Sequence, residues 1–310
     1  MKLALPLYIV LLLLALAVPL LGIYPVFMMQ VLCFAMFACA YNLLLGFSGM
    51  LSFGHAAFLG SAAYATSWLV TAEKWGAVPA ILAGVLVAAT LGAVIGAIAI
   101  RRRGIYFAMI TLALAQLVYF VCLEAPFTGG ENGLQGVPRG SLLGLVSLQS
   151  DDKMYYFVLA VFVAMFLLIR RIVHSPFGQV LKAIRDNEAR ATSLGYDIDR
   201  HKLVAFILSA AISGMAGSLK ALVLGFTTLS DVQQSTSGLV ILMPLIGGTG
   251  TFFGPVIGAG LIVTLQEYLS DQVGNWVTVI IGAIFVACVM LFRRGIVGEV
   301  LGLLRRLRTA

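Results

Sequence analysis

The sequence predicts an all-α integral membrane protein with about ten apolar segments, eight to ten of them full spans. Two observations lead there. Hydrophobic residues make up 61% of the 310 positions and charged residues only 11%, against roughly 45–50% and 25% in soluble domains; mean hydropathy is +1.04, more apolar surface than a soluble interior can hide. Charge-free runs of spanning length also recur: no Asp, Glu, Lys or Arg occurs in 3–72, 75–100, 104–123, 154–169, 203–219, 232–266 or 272–292, and one helical crossing takes about 20 residues. A soluble domain, a disordered chain, a collagen, a coiled coil and a disulfide scaffold are excluded.

The segments fall near 4–21, 26–45, 50–71, 77–100, 105–123, 154–172, 203–224, 235–247, 251–270 and 276–292. The first contains Ala15-Leu16-Ala17, which resembles a signal-peptide cleavage site. A lone Lys2 in front and no polar domain behind favour a retained span. The 70-residue run 3–72 holds three crossings. The third segment is interrupted by Ser52, Gly54, His55, Gly60 and Ser61. The 35-residue run 232–266 would be about 52 Å long as one helix, so it must break, and Gly247, Gly248, Thr249 and Gly250 supply the break. That leaves an eighth segment too short to span as a straight helix.

Alternating sides from a cytoplasmic Met1 gathers Lys2, Arg101 to Arg103, the stretch 170–202 and the tail 293–310 on the inside. These hold 16 of the 20 basic residues; Lys74, Arg139, Lys153 and Lys220 fall outside with eight of the 13 acids. The split follows the rule that basic loops stay in the cytoplasm, and both termini are then cytoplasmic. The net charge of +7 is a topogenic signal and an anionic-lipid contact, with no nucleic-acid partner. The whole chain, 1–310, reads as a single transmembrane domain with three soluble parts: a periplasmic loop at 124–153, a cytoplasmic loop at 173–202 and the basic cytoplasmic tail at 293–310.

In the outer loop, Gly129, Gly130, Gly133 and Gly136 predict tandem turns. In the inner loop, Ser175-Pro176 is a helix start with Ser175 as N-cap. A second short helix is predicted over 188–194, capped by Asp186 or Asn187 and stopped by Gly195 at the left-handed C′ position. A short amphipathic helix between two spans suits docking on the cytoplasmic face.

Catalytic motifs are nearly absent. No phosphate-binding Gly-x-x-x-x-Gly-Lys-Ser/Thr loop and no His-Glu-x-x-His occur. Cys33, Cys39, Cys122 and Cys288 lie in apolar segments without metal-ligand spacing. Gly46-Phe47-Ser48-Gly49 has the shape of an intramembrane serine-protease motif, but its only intramembrane histidine is His55, seven residues on. On a continuous helix that is about 10 Å, beyond a direct hydrogen bond. The acids sit at segment edges, as with Glu124 and Glu267, so no buried carboxylate is expected to couple an ion.

Five segments per half is an odd number, so the second half would run inverted to the first. A 5+5 inverted repeat is expected, with a broken third segment in each half: 46–71 and 235–250. Matching irregular segments in two halves point to a transporter's substrate route. The route is expected between Ser52, Phe53, Gly54 and His55 on one side and Met243, Gly247, Gly248 and Thr249 on the other; His55 reads alternatively, and first, as a structural group hydrogen-bonded by Ser52 or a backbone carbonyl.

The run Gly46-Phe47-Ser48-Gly49-Met50-Leu51-Ser52-Phe53-Gly54-His55-Ala56-Ala57-Phe58 resembles the LivM-type permeases of branched-chain amino-acid ABC importers. So do Thr128-Gly129-Gly130-Glu131-Asn132-Gly133-Leu134, the stretch from Ser175-Pro176-Phe177-Gly178 through Ala183-Ile184-Arg185-Asp186-Asn187-Glu188-Ala189 to Leu194-Gly195, and Gly247-Gly248-Thr249-Gly250-Thr251 followed by Gly254-Pro255-Val256-Ile257-Gly258-Ala259. The resemblance implies a bacterial inner-membrane subunit without its own ATP site. It implies as partners a second, similar permease subunit, two ATPase subunits that bind ATP and Mg, a periplasmic solute-binding protein and the lipid bilayer. It also implies an ATPase-coupling element carrying Asp186, Glu188, Arg190 and Gly195. In the family's coupling pattern a small residue stands where this chain has Arg190. Branched-chain amino acids are the first solute it implies; related permeases serve urea, amides and aromatic or organic acids.

Overall fold

A computed structural model of the chain describes residues 16, 19, 24–142, 146–291 and 295–299. The first apolar segment, 4–21, lies outside the described residues but for two positions, and the basic tail but for 295–299. The described residues are predominantly helical: α1 (Pro25–Ser48), α2 (Ala56–Thr71), α3 (Ala77–Ala99), α4 (Ile105–Glu124), α5 (Asp151–His174), α6 (Pro176–Asp186), α7 (Glu188–Ser193), α8 (Ile198–Leu224), α9 (Gln234–Gly247), α10 (Gly254–Val273) and α11 (Val277–Leu291). Among the described residues, α1, α3, α4, α5 and α8 are long and apolar enough to cross a membrane. With 14 residues, α9 is only about 21 Å long.

Burial identifies the centre. In its most apolar stretch α1 is 83% buried and α8 67%, against 22% for α5. A helix apolar on all sides belongs inside a bundle, and α8 packs against α1, α2 and α3. Thr66 Oγ1 of α2 donates to Ser218 Oγ of α8 at 2.8 Å, and just beyond α8 the hydroxyls of Ser67 and Thr227 are hydrogen-bonded at 2.7 Å. In an apolar medium such polar contacts add to van der Waals packing.

The bundle has two distinct ends. At one, Arg103 pairs with Glu188 and Arg185 reaches the carbonyl of Gly46, so the basic loops 101–103 and 170–202 converge there. At the other, Leu134–Gln135 (β1) pairs antiparallel with Phe226–Thr227 (β4), Ser141–Leu142 (β2) pairs with Val146–Ser147 (β3), and Arg139 pairs with Asp151 at 2.5 Å. Tandem turns do occupy 126–133, with Gly129, Gly130 and Gly133 at positive φ. The β1–β4 pair, which joins Leu134 to Thr227 across 93 positions, left no signal in the local pattern.

One expectation is overturned here. Asp231 is a buried carboxylate, 3% exposed. The chain after α8 does not stay at the membrane edge but dips inward, so that Val232 lies against Gly60 and clusters with Tyr64 and Cys122. Gly60 is about 16 Å down α2 from Thr71 at 1.5 Å per residue. Lys220 pairs with Asp231, and its ammonium also lies 5.4 Å from the Phe34 ring centroid. Thr228 and Asp231 form a reciprocal capping box that holds the dip.

Candidate functional site

The chain breaks twice. The first break, 49–55, follows α1. Ser48 turns its hydroxyl back to the Leu44 carbonyl at 2.8 Å, and Gly49 adopts φ +71°. Non-helical backbone at membrane depth needs protein partners, and three neighbouring helices provide them. Tyr41 of α1 donates to the Ser52 carbonyl at 3.1 Å, Phe53 N–H reaches Thr111 Oγ1 of α4 at 3.3 Å, and Ala56 N–H reaches Ser237 Oγ of α9 at 2.9 Å. Gly54 lies so close to the Thr111 carbonyl that a Cβ would collide with it.

His55 is fully buried, with its Nε2 2.9 Å from Ser209 Oγ. Ser209 has one hydroxyl proton and donates it to the Ala40 carbonyl at 2.5 Å, so His55 Nε2 carries the proton it shares. The ring is enclosed by Tyr41, Phe58, Phe37 and Phe206 at centroid distances of 5.1 to 6.2 Å. Its Nδ1, also buried, has no hydrogen-bond partner among the described residues, so one ring nitrogen is satisfied and the other is not. His55→Gln, which keeps an N–H near Nε2 but fills less of the aromatic enclosure, is expected to fold with a lowered melting temperature. An unchanged melting temperature would show that the ring packing and the bond to Ser209 add nothing to the fold.

The second break, 248–253, begins where α9 ends, at Gly248 with φ +120°. Helix α9 itself is continuous, with Pro244 inside it, so this irregularity lies at the end of the eighth segment rather than within it. Asn42 of α1 clasps the break: Gly250 N–H donates to its Oδ1 at 3.0 Å, and its Nδ2 donates to the Thr251 carbonyl at 2.9 Å. Met243, Gly247 and Gly248 are buried, packed against Gly258, Gly254 and Gly295, while Thr249 is exposed. Of the residues expected along a route, Ser52, Gly54, His55, Met243, Gly247 and Gly248 are enclosed by the chain's own packing in this conformation. Phe53 borders a cavity of about 510 Å³ at the basic end, with Met50, Leu51, Arg103, Phe107 and Glu188.

The basic-end element follows the sequence closely. Ser175 Oγ accepts from Gly178 N–H at 3.3 Å and starts α6. Asn187, not Asp186, caps α7, accepting from Arg190 N–H at 2.9 Å. Gly195 sits at φ +86°. Tyr196 N–H bonds to the Ala191 carbonyl at 3.2 Å and Gly195 N–H to that of Thr192 at 2.9 Å, the Schellman pattern of a glycine-stopped helix. Glu188 is held inward by Lys202 and by Arg103 at 3.2 Å. Asp186 is engaged by Arg185 at 2.9 Å. Arg190, Leu194 and Tyr196 face outward. Arg185 Nη1 donates to the Gly46 carbonyl at 2.6 Å, capping the C-terminal end of α1. One side chain thus ties α6 to the point where α1, the first break and the second break meet.

Sequence reasoning missed Asn42 and Arg185 as the clasp. The signal for Asn42 was present: it is a carboxamide in a charge-free run, and polar groups at membrane depth are there for a partner.

The family described as "Branched-chain amino acid transport system / permease component" matches residues 24–289. The chain is 31% identical over 256 residues to the high-affinity branched-chain amino acid transport system permease protein LivM of Salmonella typhimurium, covering 74% of this chain and 60% of that protein. It is 28% identical over 221 residues to the probable branched-chain amino acid transport permease protein LivM of Methanocaldococcus jannaschii, covering 68% and 64%. It is also 28% identical over 166 residues to the autoinducer 2 import system permease protein LsrC of Yersinia enterocolitica, covering 52% and 45%. The chain thus spans about 60% of the length of the first curated relatives it matches. No solved structure matches it.

Proposed function

The chain belongs to the family of branched-chain amino-acid transport permeases, and from that membership we propose that it is the membrane permease subunit of an ATP-driven importer in a bacterial inner membrane. It moves a small amphipathic solute inward, first among candidates a branched-chain amino acid, by alternating access. Two separate ATPase subunits drive it, a second related permease completes the pathway, and a periplasmic protein delivers the solute. The basic end is the cytoplasmic face, with both termini there, and the ten segments form two inverted halves. The observation that carries this reading is the family match across 24–289 on a bundle whose spans hold almost no charge. The Lys220–Asp231 pair does not favour ion coupling, because each charge is already neutralised by the other.

In this reading the α6–α7 element is the coupling site. The outward Arg190, Leu194 and Tyr196 meet the ATPase, Glu188 and Asp186 hold the element's shape, and Arg185 passes its motion to both breaks. The route runs beside the 49–55 break, with Phe53 facing it and Ser52, Gly54 and His55 behind. Movement of the 248–253 break brings Met243, Gly247, Gly248 and Thr249 to its other wall. The similarity to an autoinducer 2 import permease favours, as the second reading, another small polar solute in the same machinery.

The test is uptake by proteoliposomes holding the whole complex. Leucine accumulation that needs both ATP and the binding protein is expected. Accumulation of a different small solute under the same conditions would select the second reading. Accumulation driven by a proton or sodium gradient without ATP would overturn both.

A further inference from the structure

A second cleft opens on the same side of α4 as the basic-end cavity, farther toward the opposite end. It measures about 430 Å³ and is lined by Gln116, Tyr119, Gln233, Gln234 and Ser235. Every one of these side chains carries a hydrogen-bonding group and none is charged. Gln116 lies in the charge-free run 104–123 and is exposed on the surface of this chain. It stands about 12 Å along α4 from Glu124 at 1.5 Å per residue, at hydrocarbon depth. A carboxamide left open to lipid there is unfavourable, since nothing in hydrocarbon can satisfy its hydrogen bonds. The exposed neighbours Leu117, Phe120 and Val121 are what a lipid-facing helix surface requires; Gln116, opposite two further glutamines, is not.

The cleft's position is fixed from several directions. The Lys220–Asp231 pair and the capping box hold the inward dip that delivers Gln233. The Ala56–Ser237 hydrogen bond ties the first turn of α9 to the first break. Along one stripe of α4, Ala108 borders the basic-end cavity, Thr111 and Ala115 meet Gly54, and Tyr119 borders the polar cleft. The two spaces therefore lie on one helix face, separated by the packed contact of Phe53 and Gly54 with α4.

We propose that the cleft of Gln116, Tyr119, Gln233, Gln234 and Ser235 is the site where the permease holds the polar head of its solute, an α-amino, α-carboxylate group or a similarly small uncharged head. This rests on the importer reading above. Carboxamides supply N–H donors for a carboxylate and carbonyl acceptors for an ammonium, so one uncharged site serves both ends of a zwitterion. Without fixed charge it holds the solute weakly and releases it, as a passage site must. The Phe53–Gly54 contact is the seal beneath it, and opening that seal joins the cleft to the basic-end cavity.

The test uses the assembled complex with the four native cysteines replaced. Gln116→Cys is expected to react with a small, charged, membrane-impermeant thiol reagent, and saturating solute delivered by the binding protein is expected to slow the reaction several-fold. Leu117→Cys, one position round the helix, is expected to stay unreactive. Gln116→Leu is expected to lower uptake about tenfold, the size of one hydrogen bond of about 1.4 kcal/mol, with ATP hydrolysis retained. No reaction at position 116 in either nucleotide-free or ATP-bound complex would overturn the proposal, as would parent-like uptake by Gln116→Leu. Because reaction at 116 is read without transport, failure of the cleft is distinguishable from failure of the importer reading, which would show as absent ATP-driven uptake in the parent.

Discussion

Asp231→Ala is expected to leave little folded protein in the membrane. The substitution strands Lys220, whose side chain is 12% exposed, as an unpaired ammonium among α1 and α8. Removing one partner of a buried ion pair destabilises by about 3–5 kcal/mol, of the order of a whole domain's stability. The same change breaks the capping box with Thr228 and frees the dip that carries Val232 and Gln233. Asp231→Asn separates the two effects: it keeps an acceptor for Thr228 N–H but still strands the charge. The double variant Lys220→Gln/Asp231→Asn removes both charges and is expected to recover most of the melting temperature lost in Asp231→Asn. Thermal unfolding of the detergent-solubilised protein reads the cycle. If each single substitution is neutral, the pair is not buried as described.

Arg185→Ala is expected to uncouple ATP hydrolysis from transport. The guanidinium caps a carbonyl at the end of α1 and lies beside Gly250, while the Cβ and Cγ of its stem cover Gly49. A hydrogen bond from a charged donor is worth about 1.5–3 kcal/mol, so its loss loosens α6 without unfolding the bundle. Uptake should then fall more than about tenfold, the factor equivalent to 1.4 kcal/mol, while the ATPase continues to turn over. Arg185→Lys should restore only part, because a point ammonium does not reproduce the planar fork. Gly195→Val acts on the same element differently. A Cβ at Gly195 would meet nothing, so its penalty is purely that of a β-branched residue at φ +86°, about 1–3 kcal/mol. It should displace Leu194 and Tyr196 and lower uptake without changing the binding protein's affinity. Parent-like uptake in both variants would remove α6–α7 from the coupling path.

What was legible in the sequence was local and periodic. Charge-free runs marked the helices of the bundle, because lipid leaves few other solutions for an apolar chain. Ser175, Pro176 and Gly195 marked helix ends, because capping chemistry depends only on near neighbours. The contacts that build the site were not legible, because they join residues far apart: Asn42 to 250–251, Arg185 to Gly46, Ala56 to Ser237. Asp231 was misplaced for the same reason. Its position at a segment edge is correct along the chain, but the β1–β4 pairing and the capping box fold that edge inward. Glu188 looked like a docking residue because its partners, Arg103 and Lys202, are 85 and 14 positions away. The glutamines of the cleft stood in plain view as polar residues in apolar runs, but only the fold brings 116 beside 233–235.

In the proposed importer a separate ATPase engages the outward face of α6–α7. The most direct measurement places a cysteine at Arg190→Cys in the complex co-expressed with its ATPase subunits and applies a short bifunctional crosslinker. A covalent adduct of this chain with an ATP-binding subunit is expected, formed from position 190 and not from Gly133→Cys in the opposite loop. Absence of that adduct, with solute uptake by the isolated chain following an ion gradient, would contradict the importer reading.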